Sequence, residues 1–204
     1  MTSYDAVLFD NDGVLVEPPA RETQAAATRD AFREVGVEQP DPDHVDAVVS
    51  GVTRESVDDI CATYGLDPER FWAARERHDE QSQLAAFRAG ERGCYSDIEA
   101  LDSLSVPCGV VSNNHHSTIR FILDFFDLGA QVESFHGREK TLPTLALKKP
   151  NPHYIDRART ELGVDSALYV GDSGSDVVAA ERAGLDSAFL RRSHNDDATL
   201  PTTP

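Results

Sequence analysis

Ala6-Val7-Leu8-Phe9-Asp10-Asn11-Asp12-Gly13 decides how this chain is read. Four apolar residues run into an acid, and a second acid follows after one intervening residue. A short apolar run bounded by turn residues reads as a buried strand. Acids two positions apart at a strand end project to the same side, and Gly13 allows a sharp turn behind them. Convergent carboxylates suit a hard cation and nucleophilic or acid–base chemistry. Taken alone, the stretch also fits a capped turn with solvated acids, because Asp and Gly are common turn residues.

Working outward, further strand signals cover residues 107–113, 132–136, 167–172 and 187–190, the second of these being the weakest. Helical patterns separate them. Ile119, Ile122, Leu123 and Phe126 keep helical spacing, with Gly129 as the stop signal. Ser96 and Glu99 have the spacing of a capping box ahead of Leu101 and Leu104. Ile155, Ala158 and Leu162 share one face, ended by Gly163. Strands alternating with helices predict an α/β fold with a parallel sheet.

Residues 18–88 break that alternation, since they carry helical stripes and no convincing strand. Val57, Ile60, Cys61 and Tyr64 form one stripe ending at Gly65, and Asp67-Pro68 starts the next helix with an N-cap and a first-turn proline. The expected organisation is a core from residues 1–17 and 89–192, an all-helical lid over 18–88 inserted after the first strand, and a flexible polar tail over 193–204.

The formal net charge is −17, and lysine occurs only at positions 140, 148 and 149. Such a surface repels nucleic acid and anionic membranes, and an acidic shell poor in lysine suggests adaptation to high salt, where self-repulsion is screened. No apolar run approaches the roughly 20 residues of a membrane span. The first residues lack a basic segment followed by a long apolar core, so the expected location is the cytoplasm. Cys61, Cys94 and Cys108 are odd in number and widely spaced, as suits reduced core residues rather than a disulfide or zinc framework.

Three more segments carry chemistry. Val110-Val111-Ser112-Asn113-Asn114 puts a hydroxyl at the end of a buried strand, just before a helix whose N-terminus could hold phosphate or simply be capped. Lys148-Lys149-Pro150-Asn151-Pro152 places two of the three lysines in a stiff loop. Gly171-Asp172-Ser173-Gly174-Ser175-Asp176 ends another strand with a second acid pair, suitable for Mg²⁺. Ligands of such sheets bind beyond the carboxyl ends of the strands, and this ordered set of an acid pair, a serine, a lysine before proline and a second acid pair resembles the haloacid dehalogenase superfamily.

The resemblance spans Val7 to about Leu190. It implies a Rossmann-like core with a helical cap, and a Mg²⁺-dependent phosphatase acting on a small phosphorylated metabolite. By the same resemblance, Asp10 is the nucleophile and Asp12 the general acid and base. Ser112, Asn113 and Lys149 bind the phosphoryl group, Lys149 being preferred to Lys148 because it precedes Pro150. Asp172 binds the metal with Asp10 and the Asp12 carbonyl, and Asp176 supports it. Gly51-Val52-Thr53-Arg54-Glu55 resembles a cap segment of sugar-phosphate enzymes, which makes Arg54 a candidate substrate contact as well as a plain helix-start arginine. Three rivals stay open: a β-phosphoglucomutase-like mutase, a dehalogenase proper, and a silent phosphate-binding regulator. The segment 16–21 lacks the Thr and His typical of the mutases, the intact Asp12 and Asp172 disfavour a dehalogenase, and no acid is lost as a silent protein would imply.

Overall fold

The computed structural model describes residues 3–199, which form two compact units. The first takes in residues up to 18, 93–138 and from 147 onward; the second comprises 19–92 and 139–146.

The first unit is built on five parallel strands: β1 (Ala6–Phe9), β2 (Cys108–His115), β3 (Ser134–Arg138), β4 (Ala167–Gly171) and β5 (Asp186–Phe189). Their order is β3-β2-β1-β4-β5, with every neighbouring pair parallel. The strand alternation gives each face its own core. Ala6, Leu8, Val111, Ala167 and Tyr169 pack with Ile155, Ala158, Ala179 and Ala180 on one side. Phe9, Val110, Phe135 and Val170 pack with Ile119, Leu123 and Leu128 on the other. Short β1 is thus buried on both faces, as a central parallel strand must be.

In this unit several local expectations needed correction. The helix over His116–Phe125 stops before Gly129: Asp127 adopts the left-handed conformation (φ 56°), and the Leu128 N–H closes back on the Leu123 carbonyl at 2.8 Å. Aspartate tolerates that region better than most residues, so Asp127 ends the helix two residues ahead of the glycine stop signal. Ser96 caps no helix; the segment Ile98–Ser103 is a short 3₁₀ turn preceded by Asp97, whose carboxylate is bonded by the Arg192 guanidinium at 2.9 Å. Strand β2 runs on through His115 with a register irregularity after Val111. Ser112 therefore lies within the strand, four residues ahead of the helix, and does not sit at a helix N-terminus.

The second unit contains four helices, Arg21–Glu34, Pro42–Ser50, Arg54–Tyr64 and Pro68–Arg88. Val57, Ile60 and Cys61, on the stripe read from sequence, are buried with Phe32, Phe71 and Trp72. Leu142 and Leu145 join the same cluster from a distant part of the chain, which no local pattern announces. Gly65 closes the third helix in the left-handed conformation (φ 64°), and Asp67 caps the fourth by accepting the Arg70 N–H at 2.7 Å. The fourth helix is not simply apolar inside: buried Arg75 pairs with Glu76 at 2.8 Å, and Gln83 donates to Asp79 at 2.9 Å. Replacing Asp67 by Ala removes the cap, and we expect urea denaturation to register a loss of about 1 kcal/mol.

Candidate active site

The sheet register assembles the site. Phe9 lies opposite Val110 of β2 and Val170 of β4, so residues just beyond these three positions gather at one end of the sheet. Asp10 follows Phe9, Ser112 lies two residues beyond Val110, and Asp172 lies two beyond Val170. The Asp10 N–H still continues the ladder, donating to the Val170 carbonyl at 2.8 Å.

Lys149 enters this rim almost wholly buried. Its Nζ stands 2.9 Å from Asp10 Oδ1 and 2.6 Å from Asp176 Oδ1. It also donates to the Val111 carbonyl at 3.1 Å and to the Tyr169 hydroxyl at 2.8 Å, while that hydroxyl donates onward to Val111 at 3.0 Å. Asn113 fixes the lysine's backbone at both ends: the Lys149 N–H donates to Asn113 Oδ1 at 2.7 Å, and Asn113 Nδ2 donates to the Lys149 carbonyl at 3.3 Å. Asn113, the expected phosphate contact, thus has both amide atoms turned to this loop.

The second acid pair is organised by a capping box. Ser173 caps the helix Gly174–Arg182, and Asp176 in its first turn folds back. Asp176 Oδ2 accepts from the Asp172 N–H at 3.2 Å, the Ser173 N–H at 2.9 Å and the Ser173 hydroxyl at 2.6 Å. With Oδ1 against Lys149, both oxygens of Asp176 are engaged. Carboxylate oxygens of Asp10, Asp172 and Asp176 all lie within 4.8 Å of one another. Gly13 backs this cluster with φ 84°, and a β-carbon there would fall 2.0 Å from Asp172 Oδ2. Asp12 Oδ2 receives Asn114 Nδ2 at 2.9 Å, and the Asn114 N–H donates to Ser112 Oγ at 3.2 Å.

Charge is out of balance here. Burial pushes the Asp10 carboxyl up to about 8; Lys149 pulls it down, and Asp176 and Asp12 push it up again. Burial also raises Asp172, opposed by its bond from His194. Burial pulls the Lys149 ammonium down, but Asp10 and Asp176 outweigh that and hold it well above its ordinary value. Asp176 stays below the usual range because Lys149 and Ser173 overcome its burial. One lysine does not neutralise three converging carboxylates, and oxygen donors in this number suit a hard divalent cation. Asp10 and Asp172 are the residues that could hold it, since the oxygens of Asp176 are already engaged.

Arg54 belongs to the helical unit. Its guanidinium pairs with Asp58 and Glu69, each at 3.0 Å, and Arg54 is the first helical residue, within the capping box formed by Thr53 and Ser56. That arrangement matches a helix-start arginine. Sequence reasoning passed over Tyr169, read as strand core, and Asn114, His194 and Asn195, whose polar partners lie far along the chain.

The haloacid dehalogenase-like hydrolase family model matches residues 7–190. A phosphoglycolate phosphatase from Aquifex aeolicus is 27% identical over 185 residues, covering 90% of this chain and 83% of the relative. A phosphoglycolate phosphatase from Pseudomonas fluorescens is 26% identical over 151 residues, and the match spans 51% of that protein. The solved structure of a haloacid dehalogenase-superfamily hydrolase from Geobacter sulfurreducens shares the fold, with a TM-score of 0.59 at 20% identity over 92% of this chain and 89% of that one. The chain belongs to the haloacid dehalogenase-like hydrolases, among their phosphatase-type members.

The raised Asp10 carboxyl has a measurable consequence. Its folded value of about 8 stands above the ordinary 3.8, so the folded chain keeps a proton that the unfolded chain releases. The stability this confers is complete below about pH 4 and is lost as pH rises through about 8. In chelator, urea titrations should show wild-type stability falling across that window by at most about 1.4 kcal/mol per pH unit. Asp10→Asn, neutral throughout, should remove that slope and be the more stable protein at pH 8.

Proposed function

We propose that this hydrolase cleaves a small phosphorylated metabolite by transferring the phosphoryl group to Asp10. The observation that carries this reading is the position of Lys149, buried between Asp10 and Asp176 at the rim of the central strands. Mg²⁺ would be held by Asp10, Asp172 and the Asp12 backbone carbonyl, with Asp176 tying the Asp172 loop from behind. When bound, the cation supplies positive charge that offsets repulsion between the phosphate dianion and the carboxylates.

In this reading an Asp10 oxygen attacks phosphorus as the bond to the leaving oxygen breaks. Asp12 gives that oxygen its proton. It then takes one from the water that hydrolyses the aspartyl-phosphate, so a single carboxyl serves both half-reactions. Asn114 supports this, since the hydrogen bond its side-chain Nδ2 donates to Asp12 Oδ2 orients the carboxyl. Ser112 and Lys149 hold the transferring oxygens, and Asn113 keeps the Lys149 loop in register. Phosphate-monoester hydrolysis needs about 20 kcal/mol of barrier lowering or more. No one group supplies this, so the rim acts jointly through preorganised charge.

The names of the relatives make phosphoglycolate the first substrate to test. The excess of 36 acidic over 19 basic residues supports function at high salt, and the three free cysteines support a reducing, cytoplasmic setting.

Phosphate release from an aryl phosphate and from phosphoglycolate, with and without Mg²⁺, tests the reaction. Wild type should require the metal, Asp10→Asn should release none, and Asp12→Asn should lose about 10²–10⁴ in kcat. Metal-independent release, or full activity in Asp10→Asn, would refute the scheme. For the salt reading, the thermal midpoint and the rate should both climb between dilute buffer and molar KCl; flat profiles would remove it.

A further inference from the structure

The polar segment after β5, expected to be a flexible tail, does something specific in its described part, 193–199. Leu190 extends the sheet edge by donating to the Gly171 carbonyl at 2.8 Å, and the chain then turns back. Asn195 Nδ2 bridges the Asp172 carbonyl at 2.8 Å and the Leu190 carbonyl at 3.0 Å, while its Oδ1 accepts the Arg192 N–H at 2.7 Å. Arg192 is anchored by Asp97 and by the Val14 carbonyl at 3.0 Å, and its guanidinium stacks 3.9 Å above the Tyr95 ring. The turn so fixed presents His194, whose Nε2 lies 2.6 Å from Asp172 Oδ2 and whose Nδ1 lies 3.3 Å from the Tyr95 hydroxyl.

The hydrogen-bond roles are consistent with one arrangement. An ionised carboxylate only accepts, so Nε2 donates to Asp172; Nδ1 then accepts from Tyr95, and a neutral imidazole satisfies both. Gly13 makes room for the pair, since a β-carbon there would lie 2.0 Å from Asp172 Oδ2 and 2.9 Å from His194 Nε2. The C-terminal segment thus holds Asp172 by its carbonyl and by one carboxylate oxygen, in addition to the N–H bonded to Asp176, and the other carboxylate oxygen faces the site for a cation.

We infer that His194, oriented by Tyr95 and carried on the Asn195 turn, is a positioning residue that fixes Asp172 for divalent-cation binding, so that the C-terminal segment forms part of the metal site. This rests on the Mg²⁺ reading above. A carboxylate locked in one orientation has little rotational freedom left to lose when a cation binds, and groups that orient metal ligands typically govern about 10–100-fold in affinity.

Calorimetric titration of the full chain with Mg²⁺ tests this without using catalysis. His194→Ala should weaken binding about 10-fold or more, whereas His194→Gln, which keeps an N–H donor, should recover most of it. Melting in chelator shows whether the alanine variant is folded; if it is not, Tyr95→Phe, which keeps the ring under Arg192 but removes the hydroxyl, takes its place and should also weaken binding. Wild-type or tighter affinity in a folded variant overturns the inference. If wild-type protein itself binds no Mg²⁺, the metal reading of the site falls and this inference falls with it.

Discussion

Everything in the catalytic unit is arranged around one buried ammonium. Lys149 Nζ faces Asp10, Asp176, the Val111 carbonyl and the Tyr169 hydroxyl at once, tying together β1, β2, β4 and the helix after β4. A buried charge that lost its partners would cost several kcal/mol, so these elements are bound to one geometry. The central strand is only four residues long, and packing on both faces together with this polar knot fixes its end and with it the Asp10 carboxylate.

That rigidity is held against an electrostatic penalty. Burial raises the Asp10 carboxyl, and the neighbouring acids Asp176 and Asp12 add to that against the pull of Lys149. An arrangement optimised for the folded state alone would carry an amide or a hydrophobic residue here. Under the proposed reading a cation would offset this surplus of negative charge, and the capping box of Ser173 and Asp176 holds one of the acids in place. Asp176 has both oxygens engaged and stays below the usual carboxylate range, while burial raises Asp10 and Asp172.

How much of this the sequence revealed depends on the range of the interaction. The strand ends before Asp10 and Asp172 were legible because apolar runs stop at acids and glycine. Asp67-Pro68 and Gly65 were legible because caps are local chemistry. The helix stop at Asp127 was missed because glycine is the stronger signal and stood two residues further on. Ser112 reads as the end of its strand, just before a helix, because nothing local announces that β2 runs on, irregularly, through His115. Tyr169 reads as core in its strand and proves to be the hydroxyl under Lys149, since periodicity reports which face a side chain takes and not what its polar end meets.

The C-terminal segment shows the same limit in its strongest form. A run such as Ser193-His194-Asn195-Asp196-Asp197 has no apolar residue to anchor it, and composition alone argues that it cannot pay for its own ordering. What orders it is polar and distant: Arg192 stacked on Tyr95 and bonded to Asp97, and Asn195 bonded to the Asp172 backbone. Hydrogen bonds of this kind contribute about 0.5–1.5 kcal/mol net each, so several together go some way to offset the loss of chain entropy over a few residues. The segment is therefore ordered by the site it touches, and in turn it constrains the acid on which the site depends.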